Sequence, residues 1–366
     1  MEDRIRKTLT DAFDGDVATE ARLVDLGGHA SLRIYWRIHL PPDLRPPRAY
    51  PRGEETLMAM VLPEGTDPLK SAEGLSSDAP RPRELPFVDV QRYLAEIGMP
   101  VPAIDRVDMK RGVLLLEDLG DELFEHAVIA ADDDEAVEHL YREAIDLLVR
   151  FQTSVRQHEE RRDTIAFARR FDRELLLWEL NHYREWGLEA QHGEEAIAPV
   201  ADLLEESFRR IVDELLTSDQ ILVLRDYQSR NIMRKKNTWI LIDFQDALLG
   251  PFVYDLVALL RDSYVDLPIS AVTELVDYYA KTGSEAGLPW CENSEAVHRA
   301  FHLQTVQRKL KDAGRFVYID REKNNSDFLD YYGPSIQYVR DALERLGDYD
   351  ELVDVLREVE PAFGAP

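Results

Sequence analysis

The most constraining feature of this chain is a polar decapeptide, LRDYQSRNIM, at positions 224 to 233. It lies between two apolar runs, ILVL before it and WILIDF after it. Short apolar runs of this kind are typical of buried strands. Charged side chains at the ends of buried strands are costly unless they have a partner or a function. The flanking runs therefore argue against a pair of unrelated surface acids.

The second half of this segment predicts a β-hairpin. NIMRKKNTWILID has two strand-like runs joined by a two-residue turn at Lys236-Asn237. Counting antiparallel pairs outward from the turn gives the pairs Arg234 with Trp239, Ile232 with Leu241, and Asn231 with Ile242. Asn231 and Asp243 therefore emerge together at the open end of the hairpin. An amide oxygen and a carboxylate at this spacing are suitable ligands for Mg²⁺.

Asp226 precedes this predicted metal site by one tight loop, near enough to orient or deprotonate a hydroxyl. A catalytic Asp, an Asn after four intervening residues, and a metal-binding Asp after a short hairpin together form the phosphoryl-transfer template. We therefore predict that Asp226 is the catalytic base and that Asn231 and Asp243 are the metal ligands.

The rest of the chain predicts an α+β protein with two lobes. The first third contains alternating, β-rich runs such as SLRIYWRIHL and ETLMAMVLP, separated by Pro-rich stretches that fill most of positions 41 to 83. From about Ala130 the apolar period changes to that of helices. We expect a β-rich nucleotide-binding lobe at 1–119 and a helical catalytic and acceptor-binding lobe at 120–366, with the ligand site in the cleft between them.

Composition and charge exclude several classes of function. The 366 residues carry a net charge of −27, which argues against a nucleic-acid partner because such a partner needs a basic face. No run reaches the roughly 18 apolar residues of a membrane span, and the N-terminus has no signal-peptide core. The single cysteine, Cys291, has no surrounding nucleophile signature. We expect a cytoplasmic protein with no membrane and no obligate protein partner.

Several motifs resemble one known family of enzymes. LRDYQSRNIM and LIDFQDALLGPFVYDLVALLRDSY are similar to the catalytic and metal segments of the aminoglycoside phosphotransferase and choline kinase-like enzymes, which share the protein-kinase-like fold. The chain is more similar still to the bacterial N-acetylmuramate/N-acetylglucosamine anomeric kinases of cell-wall sugar recycling. The segments that carry this second resemblance are GHASLRIYWR, PFVD, LLLEDLG and QRKLKDAGRF.

The resemblance implies ATP and Mg²⁺ as cofactors and assigns further residues. The predicted nucleotide-binding residues are Gly27, Gly28 and Ser31 in the covering hairpin, Arg33 beside it, and Glu117, Asp118 and Leu119 in the linker that faces adenine. The predicted acceptor-side residues are Arg230, Gln245, Asp246, Arg261, Asp262 and Tyr264. The alternative for the residues that end the helix FVYDLVALL is that they only bond one another. Asp255 is expected to hold the catalytic loop in place.

Two positions depart from the family pattern. Leu224 stands where a His usually precedes the catalytic Asp, and Met60 stands where the phosphate-binding Lys of the third strand is usual. Arg33 or Arg37 could supply the missing cation, and the alternative is that both are ordinary strand-surface arginines. The aromatic residues between 178 and 186 fit either a core or an acceptor-side stripe.

These features together predict an ATP- and Mg²⁺-dependent kinase that phosphorylates the anomeric hydroxyl of an amino sugar to give a sugar 1-phosphate. One alternative is a kinase of the same fold that acts on an aminoglycoside or a choline-like alcohol. The other is a non-catalytic nucleotide-binding module, which the identities of Leu224 and Met60 favour and the intact Asp226, Asn231 and Asp243 oppose.

Overall fold

The computed structural model describes residues 1–13, 17–27, 33–41, 55–65, 69 and 81–364. Gly28 and Ser31 lie outside the described residues, as does most of the Pro-rich stretch between 41 and 83. Within the described residues, no helix combines the length and the apolar character that a membrane crossing requires.

The N-terminal part contains five strands, which are β1 (Arg22–Asp25), β2 (Ile34–His39), β3 (Thr56–Val61), β4 (Ile104–Asp108) and β5 (Val113–Glu117). They form one antiparallel sheet with the order β1-β2-β3-β5-β4. The predicted hairpin strands of the first third are therefore confirmed. Strand β4 has only two apolar residues in IDRVD, of which Ile104 is half-buried and Val107 is exposed, and no strand was predicted there.

Side chains alternate between the two faces of a strand, and alternate residues of β3 pack into two different hydrophobic clusters. On one face, Leu57 packs in a cluster with Leu9 of helix α1 (Glu2–Ala12). On the other face, Met60 and Leu114 join the main hydrophobic cluster of the protein. The central strands β3 and β5 are therefore largely buried.

Helices make up most of the remainder. In chain order they are α2 (Val17–Glu20), α3 (Pro86–Glu96), α4 (Phe124–Ile129), α5 (Asp134–Gln157), α6 (Arg173–His182), α7 (Ala190–His192), α8 (Glu194–Ile197), α9 (Ala201–Thr217), α10 (Tyr254–Leu260), α11 (Ile269–Glu285), α12 (Ser294–Lys323), α13 (Tyr332–Leu346) and α14 (Asp350–Val359). The helical period predicted from about Ala130 onward is confirmed by α5, α6 and α9. The α+β class is confirmed as well.

Two small sheets carry the polar decapeptide. Strand β6 (Gln220–Val223) pairs with β9 (Leu248–Pro251), and β7 (Ile232–Lys235) pairs with β8 (Thr238–Leu241). The observed pairs of the second hairpin are Ile232 with Leu241, Met233 with Ile240, Arg234 with Trp239, and Lys235 with Thr238. Lys236 has a φ of 57°, as the first central residue of this hairpin turn requires. The predicted register is confirmed.

One hydrophobic cluster joins the N-terminal sheet to the helical part. It contains Met60 and Leu114 from the sheet, Phe87 from α3, and Phe244 from the segment that follows β8. The rings of Phe87 and Phe244 are stacked, with centroids 5.1 Å apart. Packing of this kind fixes the position of the residue that precedes Phe244, which is Asp243.

The long helix α12 packs against an irregular helix that continues from α6. Residues Tyr183–Glu189 form a π-helix, a rare local winding that frequently occurs near functional sites. Gly314 of α12 allows the two backbones to approach, because a Cβ built there would be 2.6 Å from Cα of Tyr183 and 2.9 Å from the carbonyl oxygen of His182. Both contacts are with backbone atoms, so no side-chain rotation relieves them.

Gly314→Ala is therefore expected to lower the free energy of unfolding by roughly 3 kcal/mol, since the helices must separate to admit the methyl group. Gly333→Ala on α13 is the matched control, because a Cβ there meets nothing within 4 Å. The control should change stability by less than about 1 kcal/mol. Chemical denaturation of both variants measures the difference, and equal stability of the two would contradict the close approach.

Candidate active site

The loop of residues 224 to 231, which we call the 224–231 loop, is tied to the protein by a buried carboxylate. The backbone N–H groups of Leu224 and Arg225 donate to the two oxygens of Asp255 at 2.7 and 3.0 Å. Asp255 lies in the first turn of α10 and is fully buried. Burial raises the pKa of Asp255 to about 7, although the two backbone hydrogen bonds act in the opposite direction. The predicted structural role of Asp255 is confirmed.

Arg308 of α12 supplies a second attachment. Its guanidinium donates to the carbonyl oxygen of Arg225 at 3.0 Å and lies 3.9 Å from the carboxylate of Asp226. Arg225 has a φ of 75°, a conformation that non-glycine residues rarely adopt and that stores strain. Leu224, at the position where related enzymes were expected to have a His, is buried. Arg308 thus brings a cation to Asp226 from a distant helix.

Asn231 and Asp243 meet as the hairpin register predicts. The backbone N–H of Ile242 donates to the carbonyl oxygen of Asn231 at 3.1 Å, directly beyond the last strand pair. The side-chain amide nitrogen of Asn231 donates to the carbonyl oxygen of Asp226 at 2.8 Å. Its amide oxygen is therefore the atom that remains for a cation. Asp243 has a φ of 58°, which is a second left-handed residue at this site.

The electrostatics of this site favour a bound cation. Burial raises the pKa of Asp243, and the nearby carboxylate of Asp226 raises it further. The carboxylate of Asp243 accepts a hydrogen bond from Gln245 at 2.7 Å, and Asp243 is only partly buried, so a solute can reach it. A divalent cation between these groups would remove the repulsion and favour both ionised forms.

The donor set is compatible with Mg²⁺. Among the residues that the structure describes, no three His, Cys, Asp or Glu side chains are grouped as a metal cage. A cation held by Asn231 and Asp243 must therefore complete its coordination with water or with oxygens of a ligand. Mg²⁺ is usually bound in this way, through one or two carboxylates together with phosphate oxygens.

The N-terminal sheet brings one arginine to this site and directs another elsewhere. Met60 is buried, and its Sδ accepts a hydrogen bond from the hydroxyl of Tyr35 at 3.4 Å. Strand β3 therefore presents no cation at this position. Arg37 is held by the carboxylates of Asp118 and Asp121 through several hydrogen bonds. Arg33, in contrast, lies 3.9 Å from Asp243. Of the two arginines considered from the sequence, Arg33 is the one at the candidate metal site.

The other predicted nucleotide residues occupy the hairpin and the linker. Gly27 has a φ of +76°, and its N–H donates to the side chain of Asp25 at 2.8 Å. Glu117 pairs with Lys235 at 2.7 Å, and the adjacent Asp118 is engaged by Arg37 as described above. Leu119 is buried. Contact of these residues with adenine stays a prediction.

Three of the predicted acceptor-side residues lie together beside the 224–231 loop. Arg230 pairs with Glu125 and stacks over the ring of Tyr264, with its guanidinium carbon 3.6 Å from the ring centroid. Asp262 is buried and accepts hydrogen bonds from the backbone N–H groups of Ser229 and Tyr264 at 2.7 and 3.1 Å. Asp262 thus holds the loop at Ser229, in addition to the contacts that Asp255 makes at Leu224 and Arg225.

The remaining predicted acceptor-side residues are more dispersed. Arg261 is buried, with its guanidinium over the ring of Tyr338 at 4.7 Å. Gln245 is buried and bonded to Asp243, while Asp246 is partly exposed. Contact of any of these residues with an acceptor stays a prediction.

A polar group that was not predicted lies behind the 224–231 loop. The guanidinium of Arg225 is 3.6 Å from the carboxylate of Glu179 on α6, and Gln307 on α12 donates to the same carboxylate at 2.7 Å. Both Glu179 and Gln307 are buried. Their only signal in the sequence is the presence of polar residues in otherwise apolar helix faces.

Comparison with known proteins identifies relatives along most of the chain. A sequence model described as the Phosphotransferase enzyme family matches residues 74–291. The N-acetylmuramate/N-acetylglucosamine kinase of Pseudomonas putida is 32% identical over 289 residues, which are 77% of this chain and 80% of that protein. The protein of the same name from Neisseria meningitidis serogroup B is 31% identical over 278 residues, which are 75% of this chain and 79% of that protein.

Solved structures agree with this fold. The choline kinase of Cryptosporidium parvum Iowa II superposes with a TM-score of 0.62, covering 96% of this chain and 98% of that chain at 12% sequence identity. The predicted two-lobed, protein-kinase-like fold is therefore confirmed.

The raised pKa of Asp255 predicts a pH-dependent contribution to stability. The folded-state pKa of about 7 exceeds the unfolded value of about 3.9, so the folded protein binds this proton more tightly. The contribution of the carboxyl group is therefore fully present below about pH 4 and is lost as the pH rises to about 7.

Asp255→Asn removes the titrating group. The difference in unfolding free energy between the wild type and this variant, taken as wild type minus variant, should therefore decline from about pH 4 to about pH 7 and stay constant above about pH 7. Denaturant unfolding at several pH values measures this difference. A difference in unfolding free energy that stays constant over the whole pH range would contradict the raised pKa of Asp255.

Proposed function

Since the chain belongs to the phosphotransferase enzyme family, we propose that it is an ATP-dependent kinase that phosphorylates the anomeric hydroxyl of an N-acetylated amino sugar. The observation that carries the proposal is the convergence of Asp226, Asn231 and Asp243 through one hairpin register. The names and the identity of the Pseudomonas and Neisseria relatives support the choice of acceptor. A cytoplasmic location stays part of this proposal.

Asp226 is the proposed catalytic base. Its side chain is 34% exposed, so a hydroxyl can approach it, while Arg308 and the backbone contacts of the loop fix its direction. The base orients the acceptor hydroxyl and accepts its proton as the new P–O bond forms. An anomeric hydroxyl is more acidic than an ordinary alcohol, which reduces the demand on this base.

Asn231 and Asp243 are the proposed ligands of Mg²⁺. When bound, the metal supplies positive charge that neutralises the phosphate oxygens during transfer. Asn231 links the two functions, because its amide nitrogen is bonded to the carbonyl oxygen of Asp226 while its amide oxygen is left for the metal. The hairpin thus sets the distance between the base and the phosphates.

Asp226→Asn is expected to reduce kcat by at least about 100-fold, because the amide keeps the shape of the side chain but accepts no proton. The measurement is ADP release with N-acetylmuramate, N-acetylglucosamine, glucosamine, an aminoglycoside and choline, with NMR of the products to locate the phosphate. Turnover of the amino sugars with phosphate on C1 is the expected result. Turnover unaffected by Asp226→Asn, or none with any sugar, would overturn the proposal.

The same panel separates the alternatives. A preference for choline or the aminoglycoside would indicate a kinase of the same fold that acts on a cationic acceptor. Nucleotide binding without turnover of any acceptor would indicate a non-catalytic module. Phosphate on C6 would retain the sugar kinase and remove the anomeric assignment.

We further propose that Arg33 binds the phosphates of ATP in place of the usual lysine. Its guanidinium already lies at Asp243, where the metal and the phosphates meet in this arrangement. Arg33→Met is expected to raise the KM for ATP roughly 10-fold or more, the effect of losing one charge-assisted hydrogen bond. The KM for the sugar should change much less.

Arg22→Met is the matched control, because it removes the same charge from an exposed position of the same sheet. It should leave both KM values near those of the wild type, and Arg33→Lys should recover part of the ATP affinity. Equal effects of the Arg22 and Arg33 variants would contradict the role of Arg33.

A further inference from the structure

Helix α12 carries three cations within four residues, and two of them share one adjacent carboxylate. Lys309 donates to the hydroxyl of Ser263 at 2.7 Å and to one oxygen of Asp312 at 3.1 Å. Lys311 lies 3.0 Å from the other oxygen of Asp312. Arg308 is directed to the 224–231 loop, as described above.

Two of these cations, Lys309 and Lys311, contact the same carboxylate. The protein has 71 acidic and 44 basic residues, yet on this stretch two ammonium groups compete for the single carboxylate of Asp312. Burial would raise the pKa of Asp312, but Lys311, Lys309 and Arg308 hold it well below its usual value. Asp312 is thus held in its ionised form between the two ammonium groups.

Solvent reaches one of these three cations more than the other two. The side chain of Lys311 is 20% exposed, while those of Arg308 and Lys309 are 2% and 0% exposed. An ammonium group has three N–H donors, and Asp312 occupies one position around Lys311. A solute can therefore approach Lys311 without displacing the buried contacts of the other two.

Lys311 lies one helical turn from Arg308, which approaches the proposed catalytic base. Arg308 lies 3.9 Å from Asp226, and residues three apart are neighbours on one face of a helix. The rise over three residues is about 4.5 Å, which is comparable with the width of a pyranose ring. A sugar whose anomeric hydroxyl contacts Asp226 would then present substituents from the far side of its ring near Lys311.

We infer that Lys311 binds a carboxylate carried by the acceptor sugar, so that the site favours an acidic amino sugar over its neutral counterpart. The inference rests on the proposed amino-sugar kinase activity and adds a specificity-determining residue to it. N-acetylmuramate and N-acetylglucosamine form a matched pair for this purpose, because the first carries a carboxylate on an ether at C3 where the second has a hydroxyl.

The test compares the two acceptors in the wild type, Lys311→Met and Lys311→Arg. Lys311→Met should lower kcat/KM for N-acetylmuramate roughly 10- to 100-fold, the effect of one lost charged hydrogen bond. The decrease should appear mainly in KM, and the decrease for N-acetylglucosamine should be several times smaller. Lys311→Arg should restore part of the preference, because it restores the charge.

Lys323→Met is the matched control, since it removes a lysine from an exposed position near the end of the same helix. It should keep the acceptor preference of the wild type. Equal losses for both acceptors in Lys311→Met would assign Lys311 a structural role and overturn the inference, as would an unchanged ratio. If the wild type phosphorylates neither sugar, the proposed function fails, which is a different outcome from a wild type that phosphorylates both with no dependence on Lys311.

Discussion

The 224–231 loop depends on the buried carboxylate of Asp255. The carboxylate of Asp255 accepts hydrogen bonds from the backbone N–H groups of Leu224 and Arg225. These bonds hold the backbone in a position where Arg225 has a positive φ. Such a conformation costs on the order of 1–3 kcal/mol, which two hydrogen bonds to a charged group can offset. The position of the following residue, Asp226, therefore depends on Asp255, and the contacts of Arg308 and Asp262 with the same loop add to it.

Acidic and basic residues occupy different parts of this protein. The surface accounts for the strongly negative net charge, while the cations near the proposed reaction centre come from buried or half-buried positions. Arg33 approaches from the sheet, and Arg308 and Lys311 approach from α12. In these partly desolvated positions a cation acts on an anion more strongly than on the surface. An anionic donor can therefore be bound by a few residues despite the charge of the whole chain.

The sequence predicted those parts of the site that depend on local rules. Turn chemistry and the two-residue repeat of strands were sufficient to pair Ile232 with Leu241, and the neighbouring positions of Asn231 and Asp243 followed from that register. Asp255 was predicted because its motif places it near the loop. The periodic helices α5 and α9 were equally clear, because each has one continuous apolar face.

The contacts between distant segments could not be predicted in the same way. Arg308 lies 83 positions after Arg225, and Gln307 lies 128 positions after Glu179. Helical periodicity indicates that such residues are on an inward face, but it does not specify which segment they meet. The π-helix from Tyr183 to Glu189 was missed for a related reason, since its winding is imposed by packing against α12 and not by local propensity.

The stacked rings of Phe87 and Phe244 have a consequence for how the cleft can open. Because they belong to a cluster that also includes residues of the sheet, a large rotation of one lobe away from the other would expose apolar surface that is now dry. Exposing one such ring costs roughly 2 kcal/mol. Substrate entry and product release are therefore expected to use small movements of surface segments, while the packing around Phe87 and Phe244 stays in place. Asp243 directly precedes Phe244 in this packed region.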